Sequence, residues 1–597
     1  MVDLKERETY YTSIAKEQEQ KLQFVKKKIF RIGSLRLLIF LAVVAVFYSF
    51  WGNIPVLIPS SIVGVVIFLA LLVFHNRLFW KKDYLETQIL LLENEISGIN
   101  YDFSAFDGGA EFAYSEHSFS NDLDLFGNKS IFQSLNRTVT RSGRGRLASM
   151  LMNPLDDNAA ILSRQKAVRE LAGKSKFLIH FRTLGLIGAK EDGDEKNHPL
   201  AAFPFLKSPK LWHSIAWFVP ISYAVLVSLC FLGIINGGIF LPLWFFTFVV
   251  SMLPSKSVKQ IMDFFDRGKL IPSAYKELIE LLENEEFQSE ELKQIKDVLT
   301  KPGPASVSFK KLKSYRSNLG LSFSFPMMLI FNPYLLWNIH YALLIQKWFV
   351  AHHEDLKRWQ DAVAEFDALA SLGVYAFNHP DFTFPQPKEH FVFDGKKLGH
   401  PLIRASVSVK NDVHLPYEGY FLVVTGANMA GKSTYLRTVG VNQMLACCGS
   451  VVCADDLSFY PQHLVTNLRT SDSLNDNESY FFAELKRLKM IIDRLKSGEK
   501  LFIILDEILK GTNSEDKRKG SLALMRQLVK LQSNGIIATH DLELGILEAE
   551  FPEHVKNYRF EADIQDEQLT FSYEIKEGIA QNMNATFLMK QMGITGL

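Results

Sequence analysis

Two long stretches of the chain, residues 37–74 and 211–255, are built almost entirely of apolar side chains and contain no Asp, Glu, Lys or Arg. Each stretch is interrupted near its middle, the first by glycine, asparagine and proline at residues 52–55 and the second by glycines and an asparagine at residues 233–238. The run on either side of each interruption is close to the roughly 20 residues that a helix needs to cross a bilayer. The pattern therefore predicts two transmembrane helical hairpins.

Basic residues flank both stretches on each side, and the interruptions between the runs carry no charge. The flanking cations are Lys26, Lys27, Lys28, Arg31, Arg36, Arg77, Lys81, Lys82, Lys207, Lys210, Lys256 and Lys259. Because Lys and Arg are retained on the cytoplasmic side, we expect a multi-pass protein of the inner (cytoplasmic) membrane, with the lipid bilayer as a partner and both ends of each hairpin in the cytoplasm. Pairs of very apolar core helices are the alternative. Pro220 and Pro242 lie inside the second stretch and give this alternative more weight there.

A third apolar region, residues 319–350, contains Pro326, Pro333, Asn338 and His340. These residues interrupt the region, so we predict core helices there and not spans. The number of spans stays open, at two to four or more.

The pattern changes beyond a proline-punctuated linker at residues 380–387. Three short apolar runs, at 421–424, 501–505 and 535–538, have the length and composition of buried strands. Polar residues or glycine follow each run. Open α/β sheets bind their ligands at the carboxyl ends of such strands, so the candidate chemistry is expected there.

The first run leads into Gly426, Gly431, Lys432 and Ser433, in the spacing G-x-x-x-x-G-K-S, and a helical pattern follows. This is a phosphate-binding loop in its usual strand-to-helix setting. The predicted nucleotide cradle is Thr425, Gly426, Ala427, Asn428, Met429, Ala430, Gly431, Lys432, Ser433 and Thr434. Lys432 is predicted to reach the β- and γ-phosphates of ATP and Ser433 to bind Mg²⁺. The alternative is an ordinary glycine-containing turn.

The other two runs end in candidate catalytic residues. Asp506 and Glu507 follow the second run, and His540 follows the third after Thr539. We predict that Asp506 holds the Mg²⁺ shell, that Glu507 polarises the attacking water, and that His540 touches the γ-phosphate or that water. A purely structural role is the alternative for His540.

Composition adds two limits. A net charge of +1 implies no global polyelectrolyte, so any nucleic-acid surface must be a local patch. The four cysteines show no metal-ligand spacing with histidines, and we expect them to pack as small apolar residues in a reducing compartment.

Several segments together resemble the MutS family. Those in the C-terminal region are TGANMAGKSTYLR at 425–437, LDEILKGTNSEDK at 505–517, ATHDLEL at 538–544, SYFFAE at 479–484 and HPLI at 400–403. Upstream, RTVTRSGRGRLASMLMNPL at 137–155 and ILSRQKAVREL at 161–171 resemble the MutS core domain. Leu509 and Lys510 depart from the family pattern, as do Ala427 and Ala430, and we predict a negative φ for Ala430.

The resemblance implies a fold class: an α/β ABC-type P-loop ATPase domain joined to a mostly α-helical MutS-like core and lever region, with transmembrane hairpins. It also implies a homodimer of ATPase heads, in which Ser479 faces the partner's nucleotide with Glu484 nearby. Tyr573 is the candidate for stacking on the adenine, and a strand tyrosine facing the core is the alternative.

The predicted domains follow from these patterns. They are a charged N-terminal helix at 1–33, a first hairpin at 34–76, a helix and loop linker at 77–118, the first segment of the MutS-like core at 119–206, a second hairpin at 207–255, lever and core helices at 256–380, and the ATPase domain at 381–597. No segment before the core is large enough for the family's mismatch-recognition domain, which leaves direct mismatch reading in doubt.

We therefore expect a membrane-anchored ATP hydrolase of MutS type that uses ATP and Mg²⁺, with DNA near the membrane or an unknown membrane or repair protein as candidate partner. One alternative is an ABC-type transport or membrane-complex ATPase with no DNA role, although the chain has no L-S-G-G-Q signature. A scaffold that binds nucleotide only as a structural cofactor is another, and the intact Asp506-Glu507 pair argues against it.

Overall fold

The computed structural model describes residues 2–114, 116–192, 203–268, 274–427, 429–469, 480–509, 511–565 and 568–581. The chain divides into two compact units. One comprises Met1–Ile179, Ser289–Glu291 and Asp367–Leu597, and the other comprises His180–Gln288 and Leu292–Phe366.

The region before residue 380 is mostly helical. Its α-helices are α1 (Val2–Ser49), α2 (Ile54–Ile99), α3 (Ile131–Leu135), α4 (Arg141–Met152), α5 (Asn158–Gly173), α6 (Ser175–Asp192), α7 (Pro209–Phe231), α8 (Phe240–Met252), α9 (Ser255–Gly268), α10 (Ala274–Asn284), α11 (Glu290–Thr300), α12 (Ala305–Leu321), α13 (Asn332–Leu335) and α14 (Trp337–Asn378).

The region after residue 380 alternates strands and helices, as the sequence predicts. Its strands are β1 (Gln386–Pro387), β2 (Phe393–Leu398), β3 (Asn411–Leu415), β4 (Phe421–Gly426), β5 (Asp456–Phe459), β6 (His463–Asn467), β7 (Leu501–Asp506), β8 (Asn534–Thr539), β9 (Val555–Gln565) and β10 (Gln568–Glu577). Its helices are α15 (Lys432–Cys447), α16 (Tyr480–Lys496), α17 (Ser514–Lys530) and α18 (Ile546–Glu550).

Among the described residues, the strands form a six-stranded sheet with the order β10-β9-β4-β8-β7-β6 and a four-stranded sheet with the order β1-β5-β2-β3. In the larger sheet every neighbouring pair is parallel except β9 and β10. All residues of β4, β7 and β8 are buried, which explains why these strands read as continuous apolar runs. The register pairs Thr425 with Thr539 and Asp506 with Ala538, so the carboxyl ends of the three strands lie side by side.

Helices α1 and α2 form an antiparallel pair. The predicted charged helix and the first apolar run are one continuous helix, because no strong helix breaker separates them. Leu22 and Val25 of α1 pack against Leu85 and Ile89 of α2 in the charged half. In the apolar half the side chains face outward, and Leu37 and Val66 are examples, with exposed fractions of 61% and 59%.

A buried ion pair holds the end of this helix pair that lies farthest from the apolar half. The Nε–H group of Arg137 donates a bifurcated hydrogen bond to the two carboxylate oxygens of Glu95, near the end of α2, at 2.9 and 3.0 Å. The side-chain amide of Asn378, the last residue of α14, donates to the same carboxylate at 2.9 Å, and Tyr11 of α1 donates to Asn378 at 2.8 Å. Arg137 also lies over the ring of Phe106, at 3.5 Å from its centroid. The helix pair is thus bonded directly to the 137–140 segment and to the end of α14.

Three described helices are long and apolar enough to cross a membrane, Leu4–Ser49, Ile54–Ile99 and Pro209–Phe231. Two bent helix pairs pass the same test together, Gly237–Met252 with Ser255–Phe264, bent by 46°, and Met327–Leu335 with Trp337–Asn378, bent by 71°. The three helices and the first bent pair overlap the stretches predicted as hairpins. The last pair begins in the region predicted as core helices.

Buried amides stabilise the second of these bends. Leu336, at the break, has a left-handed φ of 45°. Asn332 and Asn338 flank it, and the backbone amide of Asn338 donates to the Asn332 side chain at 3.2 Å. The Asn338 side chain in turn donates to the carbonyl of Ser251 at 3.0 Å. These contacts provide partners for backbone groups that a broken helix leaves unpaired.

Candidate nucleotide site

The loop between β4 and α15 depends on two glycines. Gly426 has a φ of 153°, and a Cβ there would lie 2.6 Å from the carbonyl oxygen of Phe560. Gly431 has a φ of 109° and is the N-cap of α15. A Cβ at Gly431 would lie 3.2 Å from the Tyr573 ring. Both positions therefore require glycine, and the amides of the first turn of α15 open toward the loop, an arrangement that attracts phosphate.

Lys432 is the first residue of α15 and is almost fully buried. Its ammonium group donates to the carbonyl oxygens of Gly426 and Ala427, at 2.8 and 2.9 Å. It also lies 3.4 Å from Nε2 of His540. The positive charge is thus held inside the curve of the loop, next to the end of β8.

The side chains of Ser433 and Asp506 meet at the carboxyl end of β7. The Ser433 hydroxyl donates to Oδ2 of Asp506 at 2.5 Å. A hydroxyl and a carboxylate at this spacing form a pair of hard oxygen ligands, which Mg²⁺ prefers. Together with the glycine loop and Lys432, this donor set fits a Mg²⁺-bound phosphate: Ser433 and Asp506 would hold the metal, which would neutralise phosphate charge.

Glu507 follows directly and contacts His540. Oε1 of Glu507 lies 2.5 Å from Nε2 of His540. The backbone amide of Glu507 donates to the carbonyl of Ala538 at 2.9 Å, which continues the β7–β8 pairing for one residue. The structure therefore brings the predicted catalytic residues Glu507, Lys432 and His540 into one cluster.

A cavity of about 300 Å³ adjoins the phosphate loop, and it is lined by Gly431, Thr434, His400, Phe560 and Tyr573 among others. This volume is at the lower end of the range for small-molecule pockets. Tyr573 is 45% exposed and has a φ of 55° at an irregularity in the pairing of β9 with β10. Its ring lines the cavity and is not part of the sheet core, although its role in binding adenine stays a prediction.

Two further residues shape this cavity. The side chain of Asn411 donates to the carbonyl of Tyr573 and accepts from the amide of Ile575, both at 2.9 Å. His400 is mostly buried, and burial, with a smaller effect of Arg437, lowers its pKa to about 4. The His400 ring is therefore neutral at physiological pH and adds no positive charge to the wall of the cavity.

The remaining predicted residues have mixed outcomes. Asn428 and Ser479 lie outside the described residues. Met429 has a left-handed φ of 65° and is 75% exposed, whereas Ala430 is buried and has no positive φ, as predicted. Thr425 is buried at the next-to-last position of β4, and its hydroxyl accepts from the amide of Ala580 at 2.9 Å.

Sequence reasoning missed the structural roles of two residues. It gave Asn411 no role, although its side chain holds the irregular turn at Tyr573. It placed Glu484 only near the signature serine, whereas its carboxylate is buried and accepts from the amide of Leu509 at 2.6 Å. Both contacts join segments that are far apart in the chain, and no local pattern signals them.

Comparisons with known proteins agree with this geometry. A family model described as MutS domain V matches residues 422–592. The DNA mismatch repair protein MutS of Thermotoga petrophila is 30% identical over 251 residues, which cover 41% of this chain and 30% of that protein. MutS of Carboxydothermus hydrogenoformans is 32% identical over 266 residues, covering 43% and 31%. The human MutS protein homolog 4 is 30% identical over 243 residues, covering 39% and 25%.

The matched region of the chain spans less than a third of the length of these curated relatives. Within that region lie the phosphate loop, the Asp506-Glu507 pair and His540. The resemblance inferred from the motifs is thereby confirmed for the C-terminal domain, which is similar to domain V of the MutS family.

Proposed function

We propose that this protein is a membrane-anchored ATPase of MutS type. The observation that carries the proposal is the cluster at the strand ends, where Ser433 contacts Asp506 and Glu507 contacts His540 beside the buried Lys432. A phosphate loop, a metal-ligand pair and a carboxylate base are the components that ATP hydrolysis requires.

Each residue then has a defined task. The loop amides and Lys432 would bind the phosphates, and Ser433 and Asp506 would hold Mg²⁺, which would neutralise phosphate charge. Glu507 accepts a proton from the attacking water, and His540, which contacts Glu507, keeps the carboxylate directed at that water. The water oxygen bonds to the γ-phosphorus as the bond from that phosphorus to the bridging oxygen breaks; ADP leaves with the bridging oxygen, and inorganic phosphate follows.

The dimer belongs to the same proposal. In it, two heads close on ATP, and the Ser479 of each head completes the site of the other. The helices long and apolar enough to cross a membrane support a multi-pass anchor in the inner membrane, with the ATPase domain in the cytoplasm. DNA near the membrane is the proposed substrate, since the relatives with similar C-terminal domains are named as mismatch repair proteins.

The candidate spans also favour a second function, an ATPase of a transport or other membrane complex with no DNA role. Both functions share the nucleotide chemistry, and they differ in what the ATP-driven motion acts on. DNA binding separates them.

Replacing the proposed base tests the chemistry. Glu507→Gln should lower ATP turnover by about 100-fold or more and leave ATP binding within about threefold, because only the proton acceptor is lost. Steady-state phosphate release and equilibrium nucleotide binding of the detergent-solubilised protein measure the two effects. Asp493→Asn, which neutralises an exposed carboxylate on α16, is the control. Turnover that stays at the wild-type level in Glu507→Gln would refute the assignment.

A further inference from the structure

The turn that follows β7 has an unfavourable backbone conformation. Glu507 and Leu509 have left-handed φ values of 50° and 59°, a region that few side chains adopt. Such a backbone brings the side chain's Cβ close to the following carbonyl oxygen, so each of these residues raises the free energy of the folded chain. A turn of this kind persists only where surrounding contacts hold it in place. It also carries the Glu507 carboxylate, so whatever holds the turn sets the direction of the proposed base.

Glu484 provides one of these contacts. It lies in the second turn of α16, and its carboxylate is buried, with 1% of the residue exposed. Oε1 accepts a hydrogen bond from the backbone amide of Leu509 at 2.6 Å. A buried carboxylate needs donors, and this amide, two residues after Glu507, is one of them.

A second contact joins the same helix to the same turn. A Cβ on Gly511 would lie 2.8 Å from Cβ of Phe481, so the first turn of α16 packs directly on Gly511. Phe481 and Leu509 also belong to one hydrophobic cluster beneath the sheet. The beginning of α16 therefore holds the turn at two points, by a hydrogen bond at Leu509 and by close packing at Gly511.

We propose that Glu484 is a positioning residue for Glu507: by holding the Leu509 amide, its carboxylate fixes the left-handed turn that directs Glu507 toward His540. The inference rests on the proposed ATPase function. The phosphate-binding side chains are held by other groups, Lys432 by the loop carbonyls and Ser433 by Asp506. Loss of the Glu484 contact should therefore affect the chemical step and not nucleotide binding.

Two conservative variants separate the effect of the length of the Glu484 side chain from the effect of its charge. Glu484→Gln keeps an oxygen at the same reach and removes the charge, whereas Glu484→Asp keeps the charge and withdraws the oxygen by about 1.5 Å. Because a displacement of about 1 Å can cost up to 100-fold in rate, we expect Glu484→Asp to lower kcat by about tenfold or more with KM for ATP within about threefold. Glu484→Gln should stay within about threefold of wild type in both constants.

The opposite order, with Asp active and Gln inactive, would overturn the proposal, because it would mean that the buried charge matters and the reach to Leu509 does not. Equal activity of both variants and wild type would also overturn it. Asp493→Asn serves as the matched control on the same helix. Thermal unfolding of each variant shows whether a rate loss arises from a loss of folded protein.

A double variant tests whether Glu484 acts through Glu507. In a Glu507→Gln background, Glu484→Asp should lower the residual turnover by less than about twofold, because effects of residues that act as a unit do not add. A full, additive loss would overturn the inference even if the single variants behave as expected. Absence of ATP turnover in the wild-type protein would overturn the proposed function itself, and this result is distinguishable from the others.

Discussion

At the residue scale, the position of Tyr573 depends on Asn411. The Tyr573 backbone is left-handed, and Asn411 bonds both to its carbonyl and to the amide of Ile575. With the turn held in this way, the ring lies beside Gly431, at the end of the phosphate loop. The Asn411 side chain on β3, in the four-stranded sheet, is thus linked to the wall of the cavity that we propose binds adenine.

This arrangement predicts that changes at Tyr573 lower the affinity for ligands that carry a nucleobase and not for those that lack one. Tyr573→Ala should weaken ATP binding by about tenfold, since stacking on a base is worth roughly 1–3 kcal/mol. Asn411→Ala should weaken it in the same direction, and Tyr573→Phe, which keeps the ring, should not. Competition binding with ATP and with inorganic tripolyphosphate, which has no base, measures the difference. An equal loss of affinity for ATP and for tripolyphosphate would show that Tyr573 does not contact the adenine.

Individual residues also show what the sequence can reveal about a site. Lys432, Ser433, Asp506 and Glu507 could be predicted because their motifs are continuous in the chain and each follows a strand. Asn411 and Glu484 could not, since each acts on the backbone of a segment that only the folded chain brings close. A side chain that bonds to a distant backbone amide leaves no spacing to recognise.

At the element scale, the apolar runs predicted as strands at 421–424, 501–505 and 535–538 match β4, β7 and β8 to within one or two residues at each end. Buried parallel strands have a strong continuous signal. The helical region was harder to divide. The predicted boundary between a charged helix and a hairpin falls inside α1, because a change from polar to apolar residues does not end a helix.

Among the contacts between elements, we expect the buried Glu95–Arg137 ion pair, which holds the α1–α2 pair to the 137–140 segment, to have the largest effect on stability. Glu95→Gln keeps the shape of the side chain but leaves Arg137 buried without its charged partner. Breaking a buried pair in this way costs about 3–5 kcal/mol. We expect the denaturant midpoint of the detergent-solubilised protein to fall accordingly.

An exposed pair in the same unit gives the control for this change. Arg526 and Glu550 are bonded at the surface, and Arg526→Ala should change stability by less than about 1 kcal/mol. Similar shifts for Glu95→Gln and Arg526→Ala would show that the buried pair does not hold the helix pair to the 137–140 segment.

At the scale of the whole molecule, a domain similar to MutS domain V shares a chain with several apolar helices. The apolar helices could be predicted from the sequence because long uncharged runs are easy to recognise. The partner of the protein could not be predicted, because the described site contains no motif that is specific for DNA or for a membrane protein. The net charge of +1 does not decide the question either.

Salt dependence distinguishes the two proposed functions. If the protein acts on DNA, its affinity for duplex DNA should be measurable at about 50 mM salt and fall by about tenfold or more by about 200 mM, because cations on the protein release counterions from the phosphates. Fluorescence anisotropy of the detergent-solubilised protein measures this. No binding at the lowest salt would contradict a direct DNA role and favour the membrane-complex ATPase.

ATP turnover by alkaline-washed membranes that contain the protein, compared between wild type and Glu507→Gln, tests most directly whether this protein is a membrane-anchored ATPase. We expect both proteins to stay in the membrane pellet and only wild-type membranes to show Mg²⁺-dependent phosphate release above background. Recovery of the protein in the supernatant, or equal turnover in the two preparations, would contradict this expectation.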